Sequence, residues 1–326
     1  MNERGCVRSV AGLVVMGAGL GGCALGAHVV HARETARVRG EGLEVQYRAD
    51  IDRFTFIGPE DGPNLVFTQK TDQAPAKDEA YTFYGGGYTW IAPQNGPLGW
   101  RDAEGKERAW PPDPAMDIGP GKVERVDAMS MRIESPVGRT GLREVKAFGI
   151  TGERTGTLAY ALENTTNAMV TAGPWVNTAV APGSVVAVRA TASTEMWGWN
   201  DESIARLRTV MREVPGTGWS IVEPDKGTWD GGIKVYMEAP AEIAIWRDGW
   251  WLHRRQLSVD DGRLRAAGEG PVALYIQPAK GADVAIVEAE LYGRLADIPP
   301  YGRNLGEERW TVIQSATADV TVLPRR

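Results

Sequence analysis

Apolar and polar residues alternate along most of this 326-residue chain, and this period of two is the strongest constraint on its fold. Runs such as LEVQYRAD, LREVKAFGI and VAIVEAELY are typical of β-strands. Gly, Pro and Asp separate the runs, as in the turns of antiparallel sheets. No low-complexity linker and no repeat of fixed period interrupts the pattern. The sequence therefore predicts a single all-β domain over residues 41–326, with large antiparallel sheets.

One segment, 201–216, has a helical period instead. Asp201 is its predicted N-cap, and Pro215-Gly216 is the predicted stop. The apolar residues at helical spacing are Ile204, Leu207, Val210, Met211 and Val214. We expect at most one or two short helices in the domain, serving as connections rather than as a layer.

A stretch rich in glycine and aromatic residues, Tyr81 to Asp117, opens with YTFYGGGYTWI, which is predicted to form two aromatic strands joined at the glycines. Its Gly85-Gly87 run can adopt positive φ, and the part after Pro93 is predicted to be a long, stiff loop. Tryptophan faces beside amides and carboxylates suit the apolar and hydroxyl sides of a sugar. The candidate sugar contacts here are Trp90, Gln94, Trp110 and Asp113. The alternative is a loop that caps a sandwich, with the tryptophans as its own core.

Two carboxylates alternate with apolar residues in the run VAIVEAELY. Glu288 and Glu290 are predicted to share one face of a strand, while Val287, Ala289 and Leu291 face the other way. If both carboxylates are enclosed, each raises the pKa of the other, and one could act as a general base. The alternative is a pair of solvated glutamates on an outer sheet face.

His253 is the single histidine left to the domain if the N-terminal segment is removed. It follows Asp248-Gly249, a strong type I′ hairpin signal, and shares a strand face with Trp251. It could be a general acid or a packing residue. The sequence contains no phosphate-binding glycine loop and no Cys/His cluster, so neither a metal nor a cofactor is expected.

The N-terminus has the pattern of an export signal. Arg4 and Arg8 precede an 11-residue apolar run, Val10 to Leu20, which is too short to cross a bilayer as a helix. Leu20-Gly21-Gly22-Cys23 resembles a bacterial lipobox, which implies cleavage after residue 22 and acylation of Cys23, for example by palmitate. Residues 1–22 are then a signal peptide and residues 23–40 a tether. An ordinary secretory signal cleaved near Ala27 and an uncleaved anchor are the alternatives.

The formal net charge of −6 argues against a nucleic-acid partner. Lysines and arginines are dispersed, so no basic membrane-binding patch is visible. The expected contact with a membrane is through the N-terminal lipid alone.

The chain resembles the bacterial family called domain of unknown function 4380 through several short motifs in a fixed order. These are the aromatic stretch ending in residues 90–94, the WPPDP at 110–114, Ser135-Pro136 with Thr140-Gly141-Leu142, LENT at 162–165, GPW at 173–175 and LGEERW at 305–310. Together the motifs span most of residues 41–315. Through Asn164 and Trp175 they add two candidate sugar contacts.

That family is similar in turn to the galactose mutarotase-like superfamily. The resemblance implies a large antiparallel β-supersandwich with a sugar cleft, a glutamate base near the C-terminal end and a histidine acid in the middle. Glu288 or Glu290 falls in the place of the base. His253 lies after the middle of the chain, so this sequence departs from the usual His/Glu pair.

The combined prediction is an exported lipoprotein, anchored in the cell envelope, that binds a carbohydrate on its sandwich. A non-catalytic structural or protein-binding envelope protein is the first alternative. The second is an epimerase-like or lyase-like enzyme that uses Glu288 or Glu290 as its base, with Asp113 or a water as acid.

Overall fold

Two large antiparallel β-sheets pack against each other in the computed structural model, which describes residues 28–30, 35–69, 82–94, 100, 106–107, 112–119, 121–258, 262–278 and 285–324. The strands in chain order are β1 (His28–Val30), β2 (Thr35–Gly40), β3 (Leu43–Arg48), β4 (Arg53–Pro59), β5 (Gly87–Ala92), β6 (Lys122–Arg125), β7 (Ser130–Glu134), β8 (Leu142–Gly152), β9 (Thr155–Asn164), β10 (Val170–Ala179), β11 (Val185–Val188), β12 (Met196–Gly198), β13 (Met211–Val214), β14 (Trp219–Val222), β15 (Ile233–Met237), β16 (Glu242–Arg247), β17 (Trp250–Gln256), β18 (Val272–Gln277), β19 (Ile286–Tyr292), β20 (Ala296–Ile298) and β21 (Arg303–Gln314).

The first sheet has eleven strands in the order β1-β6-β7-β8-β9-β21-β17-β16-β11-β14-β13. The second has ten, in the order β12-β15-β18-β19-β10-β5-β4-β3-β2, with β20 paired to β10 beside this path. All the pairings between these strands are antiparallel, so the predicted all-β class is confirmed.

Three short helices connect strands in the described part of the chain: α1 (Pro114–Asp117), α2 (Asp201–Val210) and α3 (Arg263–Ala266). The prediction allowed at most two, and it missed the single turns α1 and α3. The N-cap of α2 is Asn200 rather than Asp201, because the Asn200 side chain accepts a bond from the Ser203 N–H at 2.8 Å. The helix also ends earlier than predicted. Met211–Val214 pairs with β14, and this sheet pairing prevails over the helical period.

Two predicted turns are confirmed by backbone geometry. Asp248 and Gly249, between β16 and β17, both have positive φ, at 48° and 84°. Gly85 and Gly86 have φ of 71° and 78°, and a Cβ on Gly86 would lie 2.6 Å from the Phe54 carbonyl oxygen. The residues just before Gly85 form no strand, because only the isolated bridge between Thr68 and Gly85 is present there.

The sandwich begins before residue 41. Thr35–Gly40, which the sequence assigned to a tether, forms β2 and pairs with β3. Ala36 and Val38 are buried in the core, so this short stretch alternates like the strands that follow it. The signal segment 1–22 and Cys23 lie outside the described residues. In the part of the chain that the structure describes, no helix has the length and apolar character needed to cross a membrane.

The core lies between the two sheets in two main clusters. One gathers side chains around Phe54, Phe148 and Trp310. The other includes Val287, Ala289 and Leu291 of β19 packed with residues of β16 and β11. Because side chains alternate along a strand, the remaining residues of β19 point away from the eleven-stranded sheet. This outward direction positions the candidate site.

Candidate functional site

The outer face of the ten-stranded sheet, the side turned away from the eleven-stranded sheet, gathers aromatic and charged side chains. Its members include Tyr88, Trp90, Trp175, Asn177, Lys234, Tyr236, Glu288, Glu290 and Tyr292. Glu288 and Glu290 lie on it together, as predicted from the alternation of β19. Both are buried, at 5% and 0% exposure, so the alternative of two solvated glutamates does not describe this face.

Strand register fixes the neighbours of Glu290. Reading across the sheet, Tyr236 lies opposite Ala273, Ala273 opposite Glu290, Glu290 opposite Asn177, and Asn177 opposite Tyr88. The small side chain of Ala273 leaves room on β18 between the two longer neighbours. A side chain from β15 can therefore cross β18 and reach β19.

Lys234 makes that crossing and binds Glu290. Its Nζ lies 2.7 Å and 2.5 Å from the two carboxylate oxygens, and 4.3 Å from the centroid of the Trp175 ring. Trp175 Nε1 and Tyr292 Oη also donate to Glu290 Oε2, at 2.9 Å and 3.1 Å. Glu290 is thus a charge-paired carboxylate with three donor groups around it, which fixes its position.

Glu288 has a different environment. Tyr88 Oη donates a hydrogen bond to its Oε1, and no described cation lies within ion-pair distance. Burial, followed by the charge of Glu290, raises the pKa of Glu288 to about 7. A carboxyl group with that pKa can both accept and donate a proton at neutral pH.

Glu269, just beyond α3, is a third carboxyl group near this face. It is 2% exposed, and the Gln94 backbone N–H donates to its Oε1 at 2.7 Å. Burial is the main cause that raises its pKa to about 7. Its other oxygen, Oε2, and the Asn177 Oδ1 are both buried without a hydrogen-bond donor. The outer face therefore has unused acceptors.

The predicted tryptophans Trp90 and Trp175 lie next to each other on this face. Their ring centroids are 4.9 Å apart in an edge-to-face contact, and Trp175 stacks on Tyr292 at 5.4 Å. Trp100 stacks over Trp175 at 6.0 Å, so both predicted rings are 2–3% exposed. Trp90 Nε1 donates at 2.7 Å to Asp117, which also pairs with Arg53 at 2.6 Å.

Aromatic surface is accessible at one edge of the face. Trp199, just after β12, is 60% exposed and meets Tyr275 edge to face at 5.7 Å. Tyr275 is half-buried and lies directly opposite Glu288 in the β18–β19 pairing and opposite Lys234 in the β15–β18 pairing. An open aromatic rim thus borders the enclosed carboxylates.

Two other predicted residues, Asp113 and Asn164, make hydrogen bonds away from the glutamate pair. Asp113 immediately precedes α1, where its carboxylate accepts hydrogen bonds from the N–H groups of Ala115 and Arg139. Asn164, at the end of β9 in the other sheet, donates to the carbonyls of Ala168, Ile298 and Pro299, and its oxygen accepts from Thr166. Trp110 lies outside the described residues.

His253 also belongs to the eleven-stranded sheet. It packs edge to face on Trp219 at 5.9 Å, on the same side of β17 as Trp251. Burial, followed by the charges of Arg255 and Arg189, lowers its pKa to about 4. It is therefore neutral at pH 7 and lies on a different sheet from Glu288, so the packing interpretation describes it and the general-acid interpretation does not.

Sequence reasoning missed Lys234, Tyr88 and Glu269. The run IKVYM puts Lys234 and Tyr236 on one strand face, and GYTWI puts Tyr88 with Trp90, so an alternation signal existed for both strands. Glu269 follows Gly268 in a turn and has no periodic signal. Among the described residues, no group of three or more His, Cys, Asp or Glu could hold a metal ion.

A cavity of about 370 Å³ is lined by residues of α3, by the start of β16 and by Tyr292. Two of its arginines are already paired, Arg255 with Glu242 at 3.1 Å and Arg265 with Glu195. The outer face differs in having buried carboxyl groups, Glu288 and Glu269, with no cation of the described residues within ion-pair distance.

Comparisons with known proteins identify the fold. No protein-family model and no curated protein sequence matches the chain, so membership of the family of domain of unknown function 4380 stays a prediction. The structure is similar to a galactose mutarotase-like protein from Lactobacillus casei, with a TM-score of 0.52, 8% identity, and coverage of 86% of this chain and 100% of the other.

Two further structures are described as candidate aldose 1-epimerases. The one from Klebsiella pneumoniae has a TM-score of 0.51 and 10% identity, covering 85% of this chain and 78% of the other. The one from Escherichia coli has a TM-score of 0.50 and 10% identity, covering 86% and 99%. The chain therefore has the galactose mutarotase-like sandwich fold.

Proposed function

We propose that the protein binds a carbohydrate on the outer face of its ten-stranded sheet, with entry past Trp199 and Tyr275. The observation that carries the proposal is that this open aromatic rim lies next to the enclosed Glu288, since Tyr275 is directly opposite Glu288 in the β18–β19 pairing. An aromatic ring beside hydrogen-bonding acceptors is the pairing that a sugar requires, since one side of a sugar is apolar and its edge donates hydroxyl protons. The likeness to mutarotase-like structures supports a sugar as the ligand class.

Trp90 and Trp175 support the site from below in this proposal. Their rings are covered by Trp100 and by each other, so direct stacking on sugar is assigned to Trp199 instead. Glu290, held by Lys234, orients the donors around it, whereas Glu288 and the unused acceptors of Glu269 and Asn177 receive sugar hydroxyl groups.

The Trp199→Ala variant is expected to weaken sugar binding about fivefold, because one aromatic contact contributes about 1 kcal/mol. Isothermal titration calorimetry with a panel of monosaccharides measures the change. The variant should keep the wild-type unfolding midpoint, since Trp199 is exposed. Tyr301→Ala removes another exposed aromatic side chain and serves as the control. Unchanged affinity in Trp199→Ala, or no binding by the wild-type protein across the panel, contradicts the proposal.

A second candidate function is aldose-epimerase-like proton transfer, favoured by the environment of Glu288. Its pKa of about 7 suits a group that takes a proton from a sugar hydroxyl and returns it. Tyr88 would orient the carboxylate through its hydrogen bond. Glu290 is less suited to this role because Lys234, Trp175 and Tyr292 already occupy its oxygens.

Export and lipid anchoring at Cys23 complete the proposal and rest on the N-terminal sequence alone. Mass spectrometry of the N-terminal peptide from the native host should show a lipid-modified cysteine as residue one. In a Cys23→Ala variant the modification should be lost. An unmodified peptide that begins near Ala27 would instead indicate an ordinary secretory signal.

A further inference from the structure

We propose that the outer face selects an amino sugar in its protonated form over neutral sugars, uronic acids and sugar phosphates. This inference deepens the proposed function and rests on it. It follows from which charged groups on the face have partners and which polar atoms remain unused.

In the described part of the face, the two cations that lie beside Tyr88 and Glu290 are each paired with a carboxylate. Arg53 binds Asp117 at 2.6 Å, and its guanidinium also covers the Tyr88 ring at 4.1 Å. Lys234 is held by both oxygens of Glu290. Neither cation is therefore available to a negatively charged ligand without breaking a buried ion pair.

The carboxyl groups outnumber these cations. Glu288 and Glu269 have no described cation within ion-pair distance, although both are at least 95% buried. A bound anion would meet two like-charged groups in a poorly solvated place, and like charges brought together at an interface cost several kcal/mol. A bound cation would instead neutralise them.

The unused atoms point to the same ligand chemistry. Glu269 Oε2 and Asn177 Oδ1 are buried acceptors without a donor. Asn177 lies directly opposite Glu290 and diagonal to Glu288, so its oxygen belongs to the same patch. An ammonium group donates three hydrogen bonds and accepts none, which satisfies acceptors that lack donors. A hydroxyl group donates only one.

The test measures the affinity of the full-length protein for three matched sugars, glucosamine, glucose and glucuronic acid, and for their galacto counterparts. Isothermal titration calorimetry at pH 7 in two buffers of different ionisation enthalpy also counts protons released. We expect the amino sugar of the preferred series to bind at least tenfold more tightly than the neutral sugar, and the uronic acid to bind more weakly than either. Proton release should accompany amino-sugar binding, because a cation favours the ionised forms of Glu288 and Glu269.

Variants assign the preference to the proposed groups. Glu269→Gln keeps an acceptor for the Gln94 N–H but removes the charge, so the advantage of the amino sugar should fall severalfold while affinity for the neutral sugar is retained. Glu242→Gln is the matched control. Glu242 is a buried carboxylate on the other sheet that pairs with Arg255, so this variant removes the same net charge but should leave the preference for the amino sugar unchanged. Trp199→Ala should weaken all the sugars together.

The failures are distinguishable. Equal or tighter binding of the neutral sugar or the uronic acid overturns the amino-sugar inference while leaving carbohydrate binding intact. A preference that is unchanged in Glu269→Gln, or that falls equally in Glu242→Gln, overturns the assignment to this face. No binding of any of the six sugars to the folded protein overturns the proposed function, and this inference with it.

Discussion

The Lys234→Met variant is expected to lose about 3–5 kcal/mol of unfolding free energy, the usual cost of removing one partner from a buried ion pair. Lys234 is 6% exposed at its side chain and Glu290 is fully buried, so water cannot replace the lost ammonium group. Met fits the space of the lysine stem and leaves only the charge missing. Trp175 and Tyr292 still donate to Glu290, but neither carries a positive charge.

Urea denaturation at neutral pH measures this loss. The double variant Lys234→Met with Glu290→Gln should recover most of the lost stability, because the uncompensated charge is gone and the amide still accepts hydrogen bonds. Lys226→Met is the matched control, since its side chain is 68% exposed in a surface pair with Glu223 and should change stability by less than about 1 kcal/mol. A double variant that is no more stable than Lys234→Met would show that the ion pair is not the cause.

Much of the fold can be predicted from local sequence, because apolar and polar residues alternate within most individual strands. The alternation of β19 correctly separates Val287, Ala289 and Leu291 from Glu288 and Glu290. Local sequence patterns fail where the pairing of a segment with a distant strand decides its secondary structure. Met211–Val214 continues the helical period of α2, yet it pairs with β14 across a turn. Thr35–Gly40 alternates over too few residues to be separated from a tether by sequence, and its pairing with β3 makes it a strand.

The candidate site was partly predictable for a similar reason. Glu288 and Glu290 were found because two residues on one strand share a face whatever lies beside them. Lys234 was missed as their partner because its contact depends on the spatial order β15-β18-β19 and on the small Ala273 between the strands. Sequence distance does not reveal that order. Asn164 was assigned by family resemblance alone, and its hydrogen bonds show a residue that braces a turn in the other sheet.

Glu288→Gln is expected to stabilise the protein above neutral pH and to leave its stability nearly unchanged near pH 4.5. The folded-state pKa of Glu288, about 7, lies above the ordinary value of 4.5, so the folded protein holds this proton more tightly than the unfolded chain. Its contribution to stability is therefore full below about pH 4.5 and is lost as the pH rises through 7. At roughly 1.4 kcal/mol per pKa unit, the loss is about 3 kcal/mol. Gln does not ionise and still accepts the Tyr88 hydrogen bond, so the variant avoids the loss.

Urea denaturation at pH 4.5, 6 and 8 should show the gap between wild type and Glu288→Gln widening with pH. In Tyr88→Phe the carboxylate loses a hydrogen bond that lowers its pKa, so the pH-dependent loss should move to higher pH. A parallel pH dependence in wild type and Glu288→Gln would contradict the assigned pKa.

A buried carboxyl group that lowers stability at neutral pH is expected to have a role in function, because an isosteric amide should be more stable there. If Glu288 transfers a proton during anomer exchange, polarimetry should detect faster mutarotation of the bound sugar class with wild type and none with Glu288→Gln. The amide variant keeps the shape of the site and the contacts of Glu290, so it should still bind the sugar. If Glu288→Gln binds the sugar but no longer accelerates mutarotation, proton transfer is assigned to Glu288. Wild-type protein that binds sugar without accelerating anomer exchange restricts Glu288 to binding, and its destabilising charge then acts in recognition alone.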